Sequence, residues 1–363
     1  MTRNEYLETL NQSLSFLDAE TRSATISFYA ELLCDRMEDG MTEEEAVSAM
    51  ESAEVIASRM LKEYGVNSAP PSDAQETRPI SPCTITYTQS DLSSLEAVFM
   101  DRAVVIEPSP TSALTITYLE DENQPLEYTE LGGHLRLIEK MPLMRKSVTL
   151  FGINIGNVLD PIFRSEPQMD PTVHIRVPCD MLFAMDIATC NGKITLHNLT
   201  GMGEIRLKSS NGAIHADGVR CKQLQLSTTN GRIMLTGVSV IDRIKAQTSN
   251  SRIQIKDTSC HGCVDLSTSN ARILAENCSG DDMLSMRTSN GAIECHTSRF
   301  PCYIMRTSNG RIDATLPGSM AEYAIDSRTS NGFNNLPART KGSGKALTCH
   351  TSNGHINVTF EEA

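Results

Sequence analysis

The sequence predicts a mainly β protein, a parallel β-solenoid with about 20 residues per coil, preceded by a small N-terminal α-helical bundle. Two observations predict the solenoid: asparagine recurs at intervals of 19 to 22 residues, and isoleucine follows nearly every one of these asparagines three positions later. A fixed period near 20 residues is the signature of stacked repeats. One further observation predicts the bundle, because apolar residues near the N-terminus recur at helical rather than β spacing.

Residues 1–65 are predicted to form the helical domain. Thr2 with Glu5 and Thr42 with Glu45 have the spacing of a capping box, in which each side chain satisfies a backbone amide at a helix start. Two apolar stripes at helical period predict the shared core of the bundle. The stripes consist of Leu7, Leu10, Leu14 and Leu17, and of Ile26, Tyr29, Leu33 and Met37.

Charge is concentrated in this helical domain. It holds 14 acidic and five basic residues, a net charge of −9 out of −13 for the whole chain. Such a surface repels phosphate backbones, so we expect no direct nucleic-acid binding there. We also expect Asp18 to cap a second helix and Ser52 a fourth one.

The remaining chain divides into a linker and a β domain. Residues 66–82 hold four prolines and are predicted to be a semi-stiff linker. Residues 83–363 are predicted to form the solenoid, with irregular coils over 83–178 and regular coils over 179–360. Segments such as "ALTITYLE" and "HLRLIE" alternate with period two, as strands do. We expect residues 141–171 to form a loop.

The recurring Thr-Ser-Asn-Gly motif predicts a structural ladder rather than a catalytic site, because it is copied into nearly every coil. Stacked side-chain amides can donate to one another from coil to coil. Glycine is replaced by Ser251 and Ala271 in two coils, so we expect asparagine to hold the left-handed backbone of the turn. Only Asn334 interrupts the isoleucine column. The predicted ladder is Asn191, Asn211, Asn230, Asn250, Asn270, Asn290, Asn309, Asn331 and Asn353.

A possible binding stripe lies two positions after the ladder. It consists of Arg232, Arg252, Arg272 and Arg311. These arginines could grip an acidic polymer or the acidic helical domain. The favoured interpretation is that they are solvated side chains at the sheet edge, which prevent unwanted strand pairing.

"CHGC", Cys260 to Cys263, is the sharpest candidate for chemistry. A metal or redox site is one interpretation, but a structural zinc site needs four ligands and the sequence has no second CxxC. We therefore predict ordinary turn residues, no metal and no cofactor. Carboxylates are dispersed and tryptophan is absent, so we predict no catalytic residues and no enzyme.

Cysteine usage and hydropathy favour a cytoplasmic location. The 11 cysteines are odd in number and irregularly spaced, which favours reduced thiols. No apolar run is long enough to span a membrane, and the N-terminus lacks signal-peptide character. The alternative is a cell-surface location reached by a route not visible in the sequence.

The segment "VPCDMLFAMDIATCNGKITL", followed by serial "TSNGxI", resembles the bacterial adhesin-type β-strand-repeat family, domain of unknown function 4097, over about residues 83–360. The N-terminal "NEYLETLNQSLSFLDAETRSATISFYAELL" looks like the HAAS-type helical signalling domain, formerly domain of unknown function 1700. The second resemblance implies a protein partner, with a PadR-like regulator as one candidate. Neither resemblance implies catalytic residues.

These observations predict a non-catalytic interaction or signalling protein. The adhesin-like solenoid would be the scaffold, and residues 1–65 would dock a protein partner. The alternative is a cell-surface adhesin that binds a glycan or protein, and the least favoured hypothesis is a polysaccharide-active enzyme. The oligomeric state is left open.

Overall fold

The computed structural model describes residues 2–15, single positions between 22 and 37, and residues 41–57, 82–88, 92–120, 125–140, 149–150, 153–154, 172–179 and 183–361. The chain forms two compact units. One comprises Met1–Pro79 with Ser147–Pro167, and the other comprises Ile80–Lys146 with Gln168–Ala363.

The first unit contains α1 (Arg3–Ser13) and α2 (Glu43–Ser48), and both predicted capping boxes are confirmed. Thr2 Oγ1 accepts a hydrogen bond from a backbone amide three residues on at 3.2 Å, and Thr42 Oγ1 does the same at 3.3 Å. In each box the glutamate at that position accepts a bond from the threonine N–H. These contacts satisfy amides that have no partner inside the helix.

Ser52 also caps a helix, because its Oγ accepts a hydrogen bond from Val55 N at 3.3 Å and residues 53–57 are helical. The predicted cap Asp18 lies outside the described residues, as does the predicted linker 66–82 except for its last residue. A small apolar core holds the described part of this unit together. It includes Tyr6, Leu10, Leu14, Leu33, Ala46, Val47, Ala53 and Ile56.

No helix in the described part of the chain combines the length and the apolar character needed to cross a bilayer.

The second unit consists of two large sheets around one continuous apolar core. In chain order the described strands are β1 (Pro82–Thr88), β2 (Ser94–Phe99), β3 (Val104–Pro108), β4 (Ala113–Leu119), β5 (Leu126–Leu131), β6 (His134–Glu139), β7 (Thr149–Leu150), β8 (Ile153–Asn154), β9 (Val173–Val177), β10 (Ala184–Thr189), β11 (Ile194–His197), β12 (Met202–Ser209), β13 (Ile214–Asp217), β14 (Arg220–Ser227), β15 (Ile233–Thr236), β16 (Ser239–Gln247), β17 (Ile253–Lys256), β18 (Ser259–Cys260), β19 (Cys263–Ser267), β20 (Ile273–Glu276), β21 (Ser279–Gly280), β22 (Met283–Arg287), β23 (Ile293–His296), β24 (Cys302–Arg306), β25 (Ile312–Pro317), β26 (Tyr323–Arg328), β27 (Lys345–His350) and β28 (Ile356–Glu361). A short 3-10 helix, Met320–Glu322, precedes β26. β7 and β8 pair only with each other among the described strands, and they belong to the first unit.

The predicted mainly β solenoid is confirmed. Sheet A runs β1-β4-β9-β3-β11-β13-β15-β17-β20-β23-β25-β28, and sheet B runs β26-β27-β24-β22-β19-β16-β14-β12-β10-β2-β6-β5, extended by β18 and β21. In each regular coil a sheet B strand leads through a corner, called here the ladder corner, into a sheet A strand. A second corner, called here the opposite corner, returns the chain to sheet B.

Register at the ladder corner aligns the isoleucines of successive coils. Each is paired directly with the isoleucine of the neighbouring coil, and each is fully buried. Burying one such side chain contributes about 1.5–3 kcal/mol, and a coil of this length can bury it only against a neighbour. The column is Ile194, Ile214, Ile233, Ile253, Ile273, Ile293, Ile312 and Ile356.

The asparagines at the ladder corner form one hydrogen-bonded column. Each Nδ2 donates to the Oδ1 of the neighbouring coil, at 2.6 to 2.8 Å. The column extends one coil further than the asparagines do, because Asn191 Nδ2 donates to Asp101 Oδ1 at 2.5 Å. Side chains at this corner are therefore satisfied by the same chemistry in every coil.

A second column, of buried hydroxyls, lies beneath the asparagines. Thr228 Oγ1 accepts a hydrogen bond from Gly231 N at 3.1 Å and donates to Gly212 O of the neighbouring coil at 3.2 Å. One hydroxyl thus closes its own turn and joins two coils. The buried members are Thr189, Ser209, Thr228, Thr248, Thr268, Thr288, Thr307 and Thr351.

The expectation that asparagine holds a left-handed backbone at the ladder corner is wrong. Left-handed residues lie instead at the opposite corner, directly after the sheet A strands. Non-glycine residues there have φ between 49° and 52°, and asparagine and aspartate tolerate this region best among residues with a Cβ. The column is Asn198, Gly218, Gly237, Asp257, Asn277, Thr297 and Gly318.

Glycine at the ladder corner is required by close approach rather than by positive φ. A Cβ on Gly291 would lie 1.8 Å from Ala271 O of the neighbouring coil, and Gly291 N donates to Thr288 Oγ1 at 3.2 Å. The coils with Ser251 and Ala271 accommodate a Cβ. Within the described residues, however, the backbone N–H of neither residue donates a hydrogen bond to the threonine Oγ1 three positions earlier. Glycine at this position therefore permits the backbone N–H to donate to the threonine Oγ, a hydrogen bond that is absent at Ser251 and Ala271.

The C-terminal coils do not stack in chain order. β27 and β28 insert between the preceding coil and β26, so the asparagine column runs from Asn309 to Asn353 and only then to Asn331. The segment after β26 covers the outer edge of that strand, where Ser327 N donates to Ala338 O at 3.0 Å. Asn335 covers β28, because its Oδ1 accepts a bond from Val358 N at 2.9 Å. Covered edges resist unwanted strand pairing.

The N-terminal end of the solenoid departs from the regular coil. Within predicted irregular coils 83–178, strands β1 and β5 run antiparallel to their neighbours, and most of the predicted loop 141–171 lies outside the described residues. A buried ion pair joins Arg102 Nε to Glu139 Oε1 at 2.8 Å. Glu139 Oε2 also accepts a hydrogen bond from Met100 N at 2.6 Å, which helps to compensate its desolvation.

Replacing Asn270 by Ala should lower the free energy of unfolding by about 1–3 kcal/mol, because it removes one amide hydrogen bond to each neighbouring coil. Urea unfolding followed by circular dichroism measures the loss. Ser269→Ala is the matched control, since this exposed neighbour has no side-chain hydrogen bond within the described part of the chain. Equal stability of the two variants would refute the energetic role of the ladder.

Gly291→Ala should also destabilise the protein by about 1–3 kcal/mol, because the new Cβ forces the turn to shift and breaks the bond to Thr288. Gly344→Ala is the control, since a Cβ there meets no atom within 4 Å. Both variants can be compared by thermal unfolding. A Gly291→Ala protein as stable as Gly344→Ala would contradict the close-approach explanation.

Candidate binding surface

The stripe predicted from the sequence lies on the outer face of sheet A, and two of its members are bound by carboxylates of the same sheet. Arg311 Nη2 lies 2.9 Å from Glu294 Oε1, and Arg311 Nε lies 2.6 Å from Asp313 Oδ2. Arg272 Nη1 reaches Glu294 Oε2 at 3.5 Å. These carboxylates compete with any anionic ligand for the two arginines. At Arg272 and Arg311 the contacts therefore favour solvated side chains at the sheet edge over a ligand-binding stripe.

The electrostatic field is positive near the start of this stripe. His215 is half-buried on the outer face of β13, and its Nε2 has no hydrogen-bond partner in the described structure. The pKa of His215 is lowered to about 4, chiefly by burial, with smaller contributions from the charges of Lys193 and Arg232 and from His197. This histidine is therefore neutral near pH 7.

A second set of cations lies on the outer face of sheet B, beside the ladder corner. Each member stands three positions before a ladder asparagine, and register pairs them directly on four adjacent strands. In spatial order this set, called here the basic row, is Arg287, Arg306, His350 and Arg328.

The members of the basic row differ in how they are compensated. Arg287 Nη1 lies 3.5 Å from Asp265 Oδ1, and His350 Nε2 lies 3.2 Å from Asp326 Oδ2. Arg306 and Arg328 are exposed, and no carboxylate of the described residues lies within 4.0 Å of either. Two uncompensated guanidinium groups therefore flank the half-buried His350.

His350 reports the charge of its surroundings. Burial lowers its pKa, Asp326 acts in the opposite direction, and the cations Arg328 and Arg306 lower the pKa again. The distance of 3.2 Å joins His350 to Asp326, but the geometry is too poor for a hydrogen bond, so Nε2 lacks a good partner. An added anion beside the ring would favour its protonated form.

The stripe predicted from the sequence lies after the ladder asparagine, whereas the basic row lies before it and was not predicted. Its signal was present as "MRTSN" twice and "SRTSN" once, with arginine before the motif. His350 could not have been added, since it joins the row only through the insertion of β27 between β24 and β26.

Both thiols of the CHGC segment have a raised pKa, which favours their protonated forms. Cys260 is buried, and burial is the main cause that raises its pKa. Cys263 Sγ donates to Asp282 Oδ2 at 2.8 Å, and that hydrogen bond is the main cause of its raised pKa. His261 Nδ1 lies 2.7 Å from Asp281 Oδ2. Protonated thiols are poor metal ligands and poor nucleophiles.

Within the described residues, no three His, Cys, Asp or Glu side chains converge as metal ligands. An open hollow of about 750 Å³ lies at the opposite corner near Phe300 and Arg299. Lys345 at its edge is already held by Glu322 Oε2 at 2.8 Å and by Pro317 O at 3.2 Å. Its Nζ also lies 5.2 Å from the ring centroid of Tyr323. The ammonium group of Lys345 therefore already contacts groups of the protein itself.

The fold and its surface define a repeat protein, a β-solenoid in which the repeated residues form hydrogen bonds between neighbouring coils. Residues 92–362 match the model of the Toastrack DUF4097 family, so the chain belongs to that family. Residues 5–59 match the HAAS family model. Both matches confirm the resemblances found in the sequence.

Two solved structures are similar to this chain. One is described as a "putative cell adhesion protein" from Clostridium sporogenes ATCC 15579, with 9% identity, a TM-score of 0.25 and coverage of 77% of this chain and 100% of that one. The other is described as a "putative adhesin" from Bacteroides fragilis NCTC 9343, with 12% identity, a TM-score of 0.31 and coverage of 77% and 97%. No curated protein matches the chain.

Treatment with a chelator should leave the melting temperature unchanged, and elemental analysis should find no stoichiometric zinc. The reason is that Cys263 is bound to a carboxylate and Cys260 is buried with a raised pKa. Differential scanning calorimetry before and after chelation measures the effect. A lower melting temperature that zinc restores would contradict this prediction.

Proposed function

We propose that this protein is a non-catalytic interaction protein with a signalling role, in which the solenoid is a rigid scaffold and the helical domain docks a protein partner. The observation that supports the proposal is that the repeated Thr-Ser-Asn-Gly motif forms hydrogen bonds between neighbouring coils. Its threonine, asparagine and glycine are all engaged in joining one coil to the next. The chemistry copied along the chain therefore serves stacking, and functional contacts fall to other residues.

The helical domain is the favoured docking element because its charge suits a basic partner. It holds 14 acidic against five basic residues, and Glu44 and Glu54 are exposed on its helical segments. Complementary charge steers association and favours the correct partner. A PadR-like regulator is the candidate partner, on the strength of the HAAS match alone.

A cytoplasmic location fits this role. The cysteines that the structure describes are all free, and several are buried in the apolar core, including Cys295 and Cys349. Reduced, buried thiols are compatible with a reducing compartment. The alternative is a cell-surface adhesin, and uncompensated cations on the solenoid favour that second candidate.

The test is affinity capture with the full chain and a purified PadR-like regulator at low and raised salt. Glu44→Lys/Glu54→Lys should weaken capture by roughly tenfold or more, because it reverses two exposed charges of the docking domain. The matched control is Glu130→Lys/Asp217→Lys, which changes the same charge on exposed positions of the solenoid. Equal loss in both variants, or capture that salt does not weaken, would overturn the docking assignment.

A further inference from the structure

The basic row is an ordered line of positive charge. Its four members lie on adjacent strands in direct register, so they repeat at the strand spacing of about 4.8 Å. Parallel stacking aligns the line with the solenoid axis. Like charges directly opposite each other on neighbouring strands are destabilising. Arg306 carries this cost opposite Arg287, and neither Arg306 nor Arg328 has a carboxylate within 4.0 Å among the described residues.

The column that contains the basic row carries no acidic residue in any regular coil, although the chain has a net charge of −13. The column runs Ala188, Lys208, Ser227, Gln247, Ser267, Arg287, Arg306, His350 and Arg328. Exposed serines of the ladder corner lie one position beyond the threonines of the Thr-Ser-Asn motif and offer neutral hydroxyls along the same line. Those beside the basic row are Ser289, Ser308, Ser352 and Ser330.

We propose that the basic row binds a linear anionic polysaccharide that lies along the solenoid axis, with its oxyanions on Arg306 and Arg328 and its hydroxyls on the serine and asparagine line. Guanidinium groups bind carboxylate, sulfate and phosphate through paired hydrogen bonds. The neighbouring hydroxyls and amides can both donate to and accept from sugar hydroxyls. All residues of this site belong to the second unit, and none of them is part of the proposed helical docking surface.

Two other linear anions fit the surface less well. An extended acidic peptide presents side chains on one face about every 6.6–6.8 Å, which matches neither the strand spacing of about 4.8 Å nor the separation of Arg306 and Arg328, which is about twice as large. A single-stranded nucleic acid needs aromatic side chains on which its bases stack. The basic row and the column two residues before it contain no aromatic residue, since the latter holds Asp265, Ser285, Ile304, Thr348 and Asp326 beside the row.

His350 links binding to pH. It is faced by Arg306 from β24 and by Asp326 and Arg328 from β26, and its pKa in the free protein is lowered, chiefly by burial. An oxyanion between the two arginines raises that pKa, so binding takes up a proton. Affinity should therefore increase as the pH falls through the pKa of the bound state.

The experiment measures binding of the full chain to two probes by calorimetry, heparin for sulfate groups and polygalacturonate for carboxylates, with dextran as a neutral control. At least one charged probe should bind, and raised salt should weaken it. Arg306→Glu/Arg328→Glu should lower affinity at least about 100-fold, from two lost charge-assisted partners. The relative response to the two probes identifies the oxyanion.

The matched control is Arg220→Glu/Arg232→Glu, which reverses two other arginines without a carboxylate partner in the described structure, one of them in the sheet A stripe. It should change affinity by less than about threefold. Wild-type protein should bind more tightly at about pH 5.5 than at about pH 7.5, and His350→Gln should remove this difference. Circular dichroism confirms that each variant is folded.

Three results would overturn the proposal: binding of neither charged probe at low salt, an equal loss of affinity in the control variant, or full competition by oligo-dT or polyglutamate. The last result would assign the row to nucleic acid or to an acidic peptide instead. None of these results bears on capture by the helical domain, because Glu44→Lys/Glu54→Lys leaves the basic row unchanged.

Discussion

The buried threonine hydroxyl at the ladder corner is the contact on which the rest of the solenoid depends. Thr228 accepts from Gly231 N in its own turn and donates to Gly212 O of the neighbouring coil, so one atom fixes both the turn and the register. Such a group is costly to bury unless both functions are satisfied. The asparagine above it repeats the arrangement at the surface, where Asn230 Nδ2 donates to Asn211 Oδ1 at 2.6 Å.

Because the strand register is fixed, residues at the same position of successive coils lie in a line on the surface of the solenoid. Because the coils stack without a slip at this corner, a residue type that recurs three positions before the asparagine becomes a straight line on sheet B. The same rule places Arg272 and Arg311 on sheet A, where Glu294 accepts from both. The two arginine sets therefore differ in electrostatic surroundings: Arg272 and Arg311 are compensated within their own sheet, whereas Arg306 and Arg328 have no carboxylate within 4.0 Å among the described residues.

The sequence located the ladder corner and the core beside it, because period and alternation are local signals. It could not assign roles within the corner. The replacement of glycine by Ser251 and Ala271 suggested that asparagine carried the strain, whereas the structure places the tight contact at glycine and the left-handed residues at the opposite corner. At the C-terminus, the order of the repeats in the sequence does not give the order in which the coils stack. The loss of isoleucine at Asn334 marks the terminal coil, which was a usable signal, but the insertion of β28 beside β25 depends on long-range pairing.

The central claim, that a continuous side-chain column orders the coils and brings His350 between Arg306 and Arg328, can be tested most directly by cross-linking. Cysteines placed at Asn309 and Asn353 lie on adjacent coils, about 4.8 Å apart and within the range that a disulfide spans. Cysteines at Asn309 and Asn331 are separated by one intervening coil. Mild oxidation followed by peptide mapping should show the first cross-link in high yield and the second at background. The reverse result would show that the coils stack in chain order and would contradict the account.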